Sequence, residues 1–500
     1  MSGTVQQSAS ASRSTPSALG DDSKPFGHVL LATLSIREPS PGAWDAVMSA
    51  STHECATFLH RYKAMVDLAP FAVHLPPLTL DGFLSSSPVL LLAAILSGSS
   101  ADPEFEKQAG ELFRHVLADR VIVKGQKSME LFQGLLTYML WYHHRFDLVT
   151  LQFYQLLQLA NGMVADLGLP RRFARDRSFT VRGDEDVNTI RAFLLCYYLN
   201  CGGGVLGYDR PENMRCIESL RNAAKLLVDI SPRPLDKEAP AFIELMHLVS
   251  LHRGDGNPPE RYIRPSQGLD EWKTAYLRPE SPAMMKSSYH FLAAYSVLKS
   301  SSPKSMSAED VRLCVQHFEA LLSNILNQEL CYLVQVGIIE WAHLITTLFL
   351  LARLERHNMC NPSRADSPLL THHYVGRFRA LMADFAALTV PALVTLKTPH
   401  LLDWLDKILT AVTRQASFGR AAQEPRLHES ERSHGHGHDH QHESAYELVN
   451  SFIDDRGRVR DVDERTSAVE RSRMEQHQHE QQQRDAEDFW TDFMSDWLNW

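Results

Sequence analysis

From Phe26 to Gln415 apolar side chains recur at intervals of three and four residues, and Pro, Gly and Ser interrupt the pattern between runs. That interval places side chains on one face of an α-helix, whereas the two-residue alternation of a half-buried strand is scarce. The pattern predicts an all-α, multi-helical domain. Its clearest helix starts at Ser128, where Phe132, Leu135, Leu136, Met139 and His143 form one stripe. A second stripe of Phe153, Leu156, Leu157, Ala160, Val164 and Leu167 stops at Gly168 and Pro170, a left-handed cap followed by a residue that cannot continue a helix. Two amphipathic helices this close in sequence predict an antiparallel helical hairpin. A third long helix follows Ser307, with Asp310 placed to complete a capping box and Val311, Cys314, Val315, Phe318, Leu321, Leu322 and Ile325 on its buried face. Further helices are expected over 191–200, 214–228, 331–354 and 376–388, with a Pro/Gly-rich connection over 253–282.

A chain of 500 residues exceeds one compact core, and 44% apolar content is that of a globular protein, which excludes disorder throughout. Composition shifts set the expected boundaries: a disordered Ser/Ala-rich leader over 1–25, the helical domain over 26–415, a disordered linker rich in His, Gln and charge over 416–484, and an acidic aromatic segment over 485–500. Lys and Arg number 50 against 60 Asp and Glu, a formal charge of −10, so no global field draws the chain to DNA or to an acidic membrane. The leader lacks the basic-then-apolar pattern of a secretory signal. The run from Val89 to Leu96 is too short to cross a bilayer, and Glu340 and His343 break the apolar stretch over 338–352. A soluble protein is expected, and seven scattered cysteines predict reduced thiols rather than a disulfide framework.

Motifs for chemistry are missing from the sequence: it has no G-x-S-x-G elbow, no phosphate loop ending in G-K-[ST] and no H-E-x-x-H helix, so no catalytic residue and no enzyme activity are expected. Gly202, Gly204 and Gly207 have the spacing of a dinucleotide fingerprint. That motif needs a strand before it, and here a helix is expected, so the glycines are read as a tight reversal with close backbone approach. His434, His436, His438, His440 and His442 alternate in a Gly/Asp/Gln-rich stretch that offers nothing to orient the rings, and a solvated tract is expected in place of a metal site. His143 and His144 on the Ser128 helix are expected to be packed or capping groups. Arg171, Arg172, Arg175 and Arg177 lack an aromatic platform for nucleic acid and are read as a solvated loop.

The segment over 485–500 is the most informative for function. It carries Asp485, Glu487, Asp488, Asp492 and Asp496, no basic residue, and the apolar side chains Phe489, Trp490, Phe493, Met494, Trp497, Leu498 and Trp500. In a helix Phe489, Phe493, Trp497 and Trp500 share one face, the arrangement by which an amphipathic helix lays anchors in a partner's groove. Repulsion among the acids opposes collapse of the aromatics, so apolar area stays available for a partner. These seven apolar residues are the expected partner-binding site, of the kind an activation segment uses. A terminal helix docked on the chain's own core is the alternative for this segment.

Residues 125–144, Gly-Gln-Lys-Ser-Met-Glu-Leu-Phe-Gln-Gly-Leu-Leu-Thr-Tyr-Met-Leu-Trp-Tyr-His-His, followed by the stretches over 153–160 and 166–171, resemble the regulatory region of fungal zinc-cluster transcription factors, most strongly the weak-acid-resistance-like subgroup. The stretch over 58–80 with its Ala-Pro-Phe-Ala-Val-His-Leu-Pro, and those over 87–95 and 191–200, match the same family, and the likeness covers roughly residues 45–360. The resemblance implies an all-α regulatory fold, a nuclear location, transcriptional control, and a coactivator or the general transcription machinery as partner. That family binds DNA through a six-cysteine zinc cluster with paired C-x2-C spacings. No C-x2-C occurs here, and the nearest pair, Cys196 and Cys201, falls inside the helical domain. No zinc site is carried over and no cofactor is expected; zinc is expected only if a cluster precedes this chain. The expectation is therefore a coregulator, with a DNA-binding partner or a second copy of itself (a homodimer) among its partners, or else a shortened gene model of a DNA-binding factor. A non-transcriptional helical interaction scaffold is the alternative.

Overall fold

The structure, a computed structural model, describes residues 25–75, 78–145, 152–174, 183–203, 214–251, 265–300, 306–329, 331–359, 370–388 and 399–421. The expected leader up to residue 24, the chain beyond residue 421 with its alternating histidines, and the acidic aromatic segment lie outside the described residues. Among the described residues there are twenty α-helices and no strand, so the fold is all-α.

The first half is organised on one fully enclosed helix. Helices α1 (Phe26–Leu34), α2 (Asp45–Ser49), α3 (Thr52–Val66), α4 (Leu80–Ser86) and α5 (Pro88–Gly98) are followed by α6 (Pro103–Leu117) and α7 (Met129–Leu140). Helix α5 packs on α1, α3, α4, α6 and α7, and every side chain from Val89 to Leu96 is at most 3% exposed. An apolar run without a polar face is stable as a helix only when covered all round, and these neighbours cover it. The α3–α5 crossing is close enough that a β-carbon on Gly98 would lie 2.0 Å from the Phe58 carbonyl oxygen. Local signals set the helix starts: Ser51 and Glu54 form a capping box at α3, and Thr79, Asp102 and Ser128 each accept a backbone N–H of the next turn.

The hairpin of α7 and α8 (Phe153–Asp166) is antiparallel, with Lys127 beside Asp166 at one end and Tyr142 against Phe153 at the other. Gly168, in the left-handed conformation at φ 64°, turns α8 into the short α9 (Leu169–Arg172). Next come α10 (Asp184–Gly203), α11 (Glu218–Ile230), α12 (Pro234–Lys237), α13 (Ala239–Leu251) and α14 (Pro265–Tyr276). Helix α10 is buried on all sides from Ile190 to Leu199 and packs on α7, α8, α11 and α13. A second antiparallel pair, α15 (Ala283–Ser300) and α16 (Ala308–Leu326), brings Asn324 to Ala283 and Ser287 and Cys314 to Ala294. Helices α17 (Tyr332–Gln335), α18 (Ile338–Met359), α19 (Leu370–Ala386) and α20 (Pro399–Ala421) complete the described chain. One continuous apolar cluster runs through it from Phe26 to Val412.

Several expectations are corrected. The single helix expected over 331–354 is two, α17 and α18, because Val336 is extended and Gly337 passes so close to Leu140 that a β-carbon there would lie 2.8 Å from Leu140 Cδ1. The connection expected over 253–282 contains α14, whose Trp272 is buried and donates its indole N–H to the Ala241 carbonyl at 2.9 Å. His143 and His144 sit on a 3-10 turn, Tyr142–Arg145, beyond the end of α7 rather than on it. Arg171 and Arg172 belong to α9, and Arg172 pairs with Asp186 at 2.7 Å; Arg175 and Arg177 lie outside the described residues. The capping box at Ser307 and Asp310 forms as expected.

Candidate functional site

The expected partner-binding residues Phe489, Trp490, Phe493, Met494, Trp497, Leu498 and Trp500 lie outside the described residues, as do the five alternating histidines, Gly204 and Gly207. Gly202 is described at the end of α10, where a β-carbon would lie 2.2 Å from Ile339 Cδ1. It lies within the last turn of α10, so the tight reversal expected at this glycine is not formed there, and its lack of a side chain admits Ile339 of α18. Three built features remain as candidates: two buried polar junctions and one surface turn.

The first junction surrounds the break between α17 and α18. The last turn of a helix leaves carbonyls without intrahelical donors, and here three in succession are satisfied by rings from elsewhere. Trp341 Nε1–H donates to the Leu333 carbonyl (2.8 Å), His144 Nε2 bonds the Val334 carbonyl (3.1 Å), and Trp141 Nε1–H donates to the Gln335 carbonyl (3.0 Å). The His144 contact requires the tautomer that carries its proton on Nε2. His143 lies edge-on to His144 and tilted against Trp341, with ring centres 4.5 and 5.5 Å away, and burial keeps it neutral. Deeper in, the Tyr198 hydroxyl donates to Glu340 Oε1 at 2.7 Å. Burial pushes the Glu340 carboxyl up to about 7, against the hydrogen bonds from Tyr198 and from the backbone at Gly337 and Glu340. Glu340 is 4% exposed and Tyr198 is fully enclosed, so this acid–phenol pair fastens α10 to α18 rather than facing a substrate.

The second junction holds the extended segment after α3. Arg191 on α10 donates through Nε and Nη2 to Asp236 Oδ2 (3.0 and 2.7 Å), through Nη2 to Ser231 Oγ (3.2 Å) and through Nη1 to Asn188 Oδ1 (3.0 Å). Asn188 Nδ2 donates to the His74 carbonyl at 2.6 Å, and the His74 N–H donates back to Asn188 Oδ1 at 3.1 Å. Arg233 donates to the Val66 carbonyl and stands 3.7 Å from Asp236 Oδ1. Phe71 takes the left-handed conformation at φ 60° within this segment and packs edge-on against Tyr198 and Phe242. Burial, with Arg191 and Arg233 nearby, pushes His74 down to about 3. Arg191 and Asp236 are enclosed and paired, and Arg233 stands between the enclosed Asp236 and the exposed Asp67, so the junction is a clasp between α10, α12 and the 66–74 segment.

The third feature faces solvent. Where the apolar stripe of α6 ends, the chain winds one π-helical turn, Ala118–Val123, a wider turn often found at functional positions. Its Ile122 and Val123 are 68% and 77% exposed, more than any other large apolar side chain among the described residues. The turn is fixed by the Gln126 N–H donating to the Arg120 carbonyl (2.8 Å) and by Arg120 Nη2 donating to the Leu34 carbonyl (3.0 Å). Against it lies a recess of about 110 Å³ lined by Val121, Gly125, Gln126, Lys127, Met163, Asp166 and Leu167. Lys124 pairs with Asp119 (2.6 Å) and Lys127 with Asp166 (3.1 Å) at the exposed rim.

Among the described residues no helix is long and apolar enough to cross a membrane, and no group of three or more His, Cys, Asp or Glu is placed to hold a metal ion. Comparison with protein-family models, with curated proteins and with solved structures finds no match. Sequence reasoning missed the π-helical turn and both junctions. The turn had a signal: three consecutive β-branched residues, Val121, Ile122 and Val123, follow the end of the α6 stripe and stand just before Gly125. The junctions had none, because their partners are far apart in sequence.

Proposed function

We propose that this chain is a transcription regulator of the nucleus, in which the all-α domain is the regulatory module and the segment over 485–500 recruits a coactivator or the general transcription machinery. The observation that carries this function is the composition of that segment: five acids, no base, and Phe489, Trp490, Phe493, Met494, Trp497, Leu498 and Trp500 within sixteen residues. Acids keep the aromatics hydrated and apart, and a partner's apolar groove releases that hydration on contact. The resemblance of residues 45–360 to the regulatory region of zinc-cluster factors supports the same function. Residues 1–500 hold no C-x2-C pair, so contact with DNA falls to a DNA-binding partner or to a cluster that precedes this chain.

Fusing residues 484–500 to a heterologous DNA-binding domain tests the segment. Reporter output is expected to rise above that of the DNA-binding domain alone and to return to it when Phe489, Phe493 and Trp497 are replaced by Ala. No rise, or a rise that survives those substitutions, overturns the assignment. Exclusion of the tagged full-length protein from the nucleus would favour a non-transcriptional interaction scaffold instead.

A further inference from the structure

We propose that the acidic aromatic segment over 485–500 docks on its own chain, against the π-helical turn Ala118–Val123 and the recess beside it, and is thereby masked from its partner. The inference rests on the role given to that segment above, and four observations carry it. First, Ile122 and Val123 are the most exposed large apolar side chains among the described residues, on a turn whose backbone is pinned by Arg120 and Gln126. A rigid apolar pair held in water favours an apolar cover. Second, the recess next to it is floored by Met163 and Leu167 of the α8 end, and a methionine floor adapts to an incoming aromatic ring. In helical spacing Phe489, Phe493 and Trp497 share one face, the form in which a helix seats anchors in such a groove.

Third, the charges complement each other. Arg120, Lys124 and Lys127 place three cations on or just after the turn, beside Asp119 and Asp166, on a chain whose formal charge is −10. The exposed pairs Lys124–Asp119 and Lys127–Asp166 are of the weak kind that exchanges readily for a new carboxylate, and the segment brings five acids and no base. Fourth, the segment reaches. Residues 422–484 separate it from the end of α20, and 63 residues span about 95 Å even at the helical rise, against roughly 55 Å for the width of a globular domain of this size.

The test uses the full chain with Phe493→p-benzoylphenylalanine, irradiated at high dilution and mapped by mass spectrometry. Cross-links are expected within the same chain to residues 118–128 or 163–167. Ile122→Glu combined with Val123→Glu is expected to abolish them without changing the melting temperature, because both side chains are exposed; Val123→Ser alone, a milder change, is expected to weaken them. Cross-links elsewhere, cross-links indifferent to both variants, or cross-links only between two chains overturn the proposal, the last by assigning the turn to another copy's segment. In a reporter assay with the full chain fused to a heterologous DNA-binding domain, the double variant is expected to raise output several-fold while the isolated 484–500 fusion is the reference. If the isolated segment activates but the double variant does not, masking is wrong and the proposed function stands. If cross-links form as expected but the isolated segment does not activate, docking is right and the proposed function is wrong.

Discussion

A carboxyl enclosed as Glu340 holds its proton more tightly than an exposed one, because water no longer solvates its charge. Its pKa in the folded chain, about 7, is above the ordinary 4.5, so the fold binds this proton more tightly than the unfolded chain does. The stability this contributes is complete below pH 4.5 and is lost as pH rises to about 7. Glu340→Gln keeps an acceptor for Tyr198 and has no proton to lose. Relative to the parent, its melting temperature is expected to climb between pH 5 and pH 8, by an amount equivalent to on the order of 3 kcal/mol at most. A difference that stays flat across that range would mean Glu340 ionises at little cost. Glu106 follows the same rule: burial pushes it up to about 7 even though Arg145 stands 3.4 Å away.

At the scale of elements, caps and clasps differ in what they hold. Ser307 caps only α16, accepting the Asp310 N–H at 3.1 Å while the Asp310 carboxylate accepts the Ser307 N–H at 3.2 Å. Ser307→Ala is expected to cost about 1 kcal/mol in denaturant unfolding. Asp236 answers Arg191 and Arg233 at once, and its side chain is fully enclosed. Asp236→Ala leaves Arg191 buried without a carboxylate and Arg233 with only the exposed Asp67, 3.8 Å away, and roughly 3–5 kcal/mol is expected to be lost. The matched control is Asp166→Ala at the exposed Lys127 pair, where less than about 1 kcal/mol is expected. Equal losses in the two aspartate variants would refute the role of the Arg191 clasp.

Across the whole molecule, buried titratable groups set the response to acid. Burial lowers the pKa of His74, His143, His247, His290, His317 and His343, so each resists protonation when folded and accepts it when unfolded. Their contribution is present above pH 6.5 and is lost as pH falls. Glu106, Glu238, Glu340 and Glu355 are raised and act in the opposite sense. Among the described residues, His74, His290 and His343, lowered to about 3 or 4, outweigh Glu106 and Glu340, raised to about 7, over this interval, and the melting temperature is expected to fall between pH 7 and pH 5. A melting temperature that holds or rises over that interval would contradict this balance.

The amphipathic helices with clear stripes and caps were legible without tertiary information, because periodicity and capping depend on residues within one or two turns. The stripes at Phe132 and Phe153, the stop at Gly168 and the capping box at Ser307 are all of that kind. So was the composition of the segment over 485–500, from which the proposed function derives. The break between α17 and α18 was not legible, since it exists to admit Leu140 and to offer carbonyls to Trp141 and His144, partners up to 194 residues away. Nor was α14, whose anchor Trp272 meets α13 across a connection that reads as loop. The exposure of Ile122 and Val123 was decided by what does not cover them, and covering is a property of how distant helices pack. Local sequence therefore determined the amphipathic helices with their caps and stops and which segment is acidic and aromatic, while the tertiary structure alone decided where a loop-like stretch becomes helix, which charges are clasped, which histidines stay neutral, and which apolar turn is left facing water.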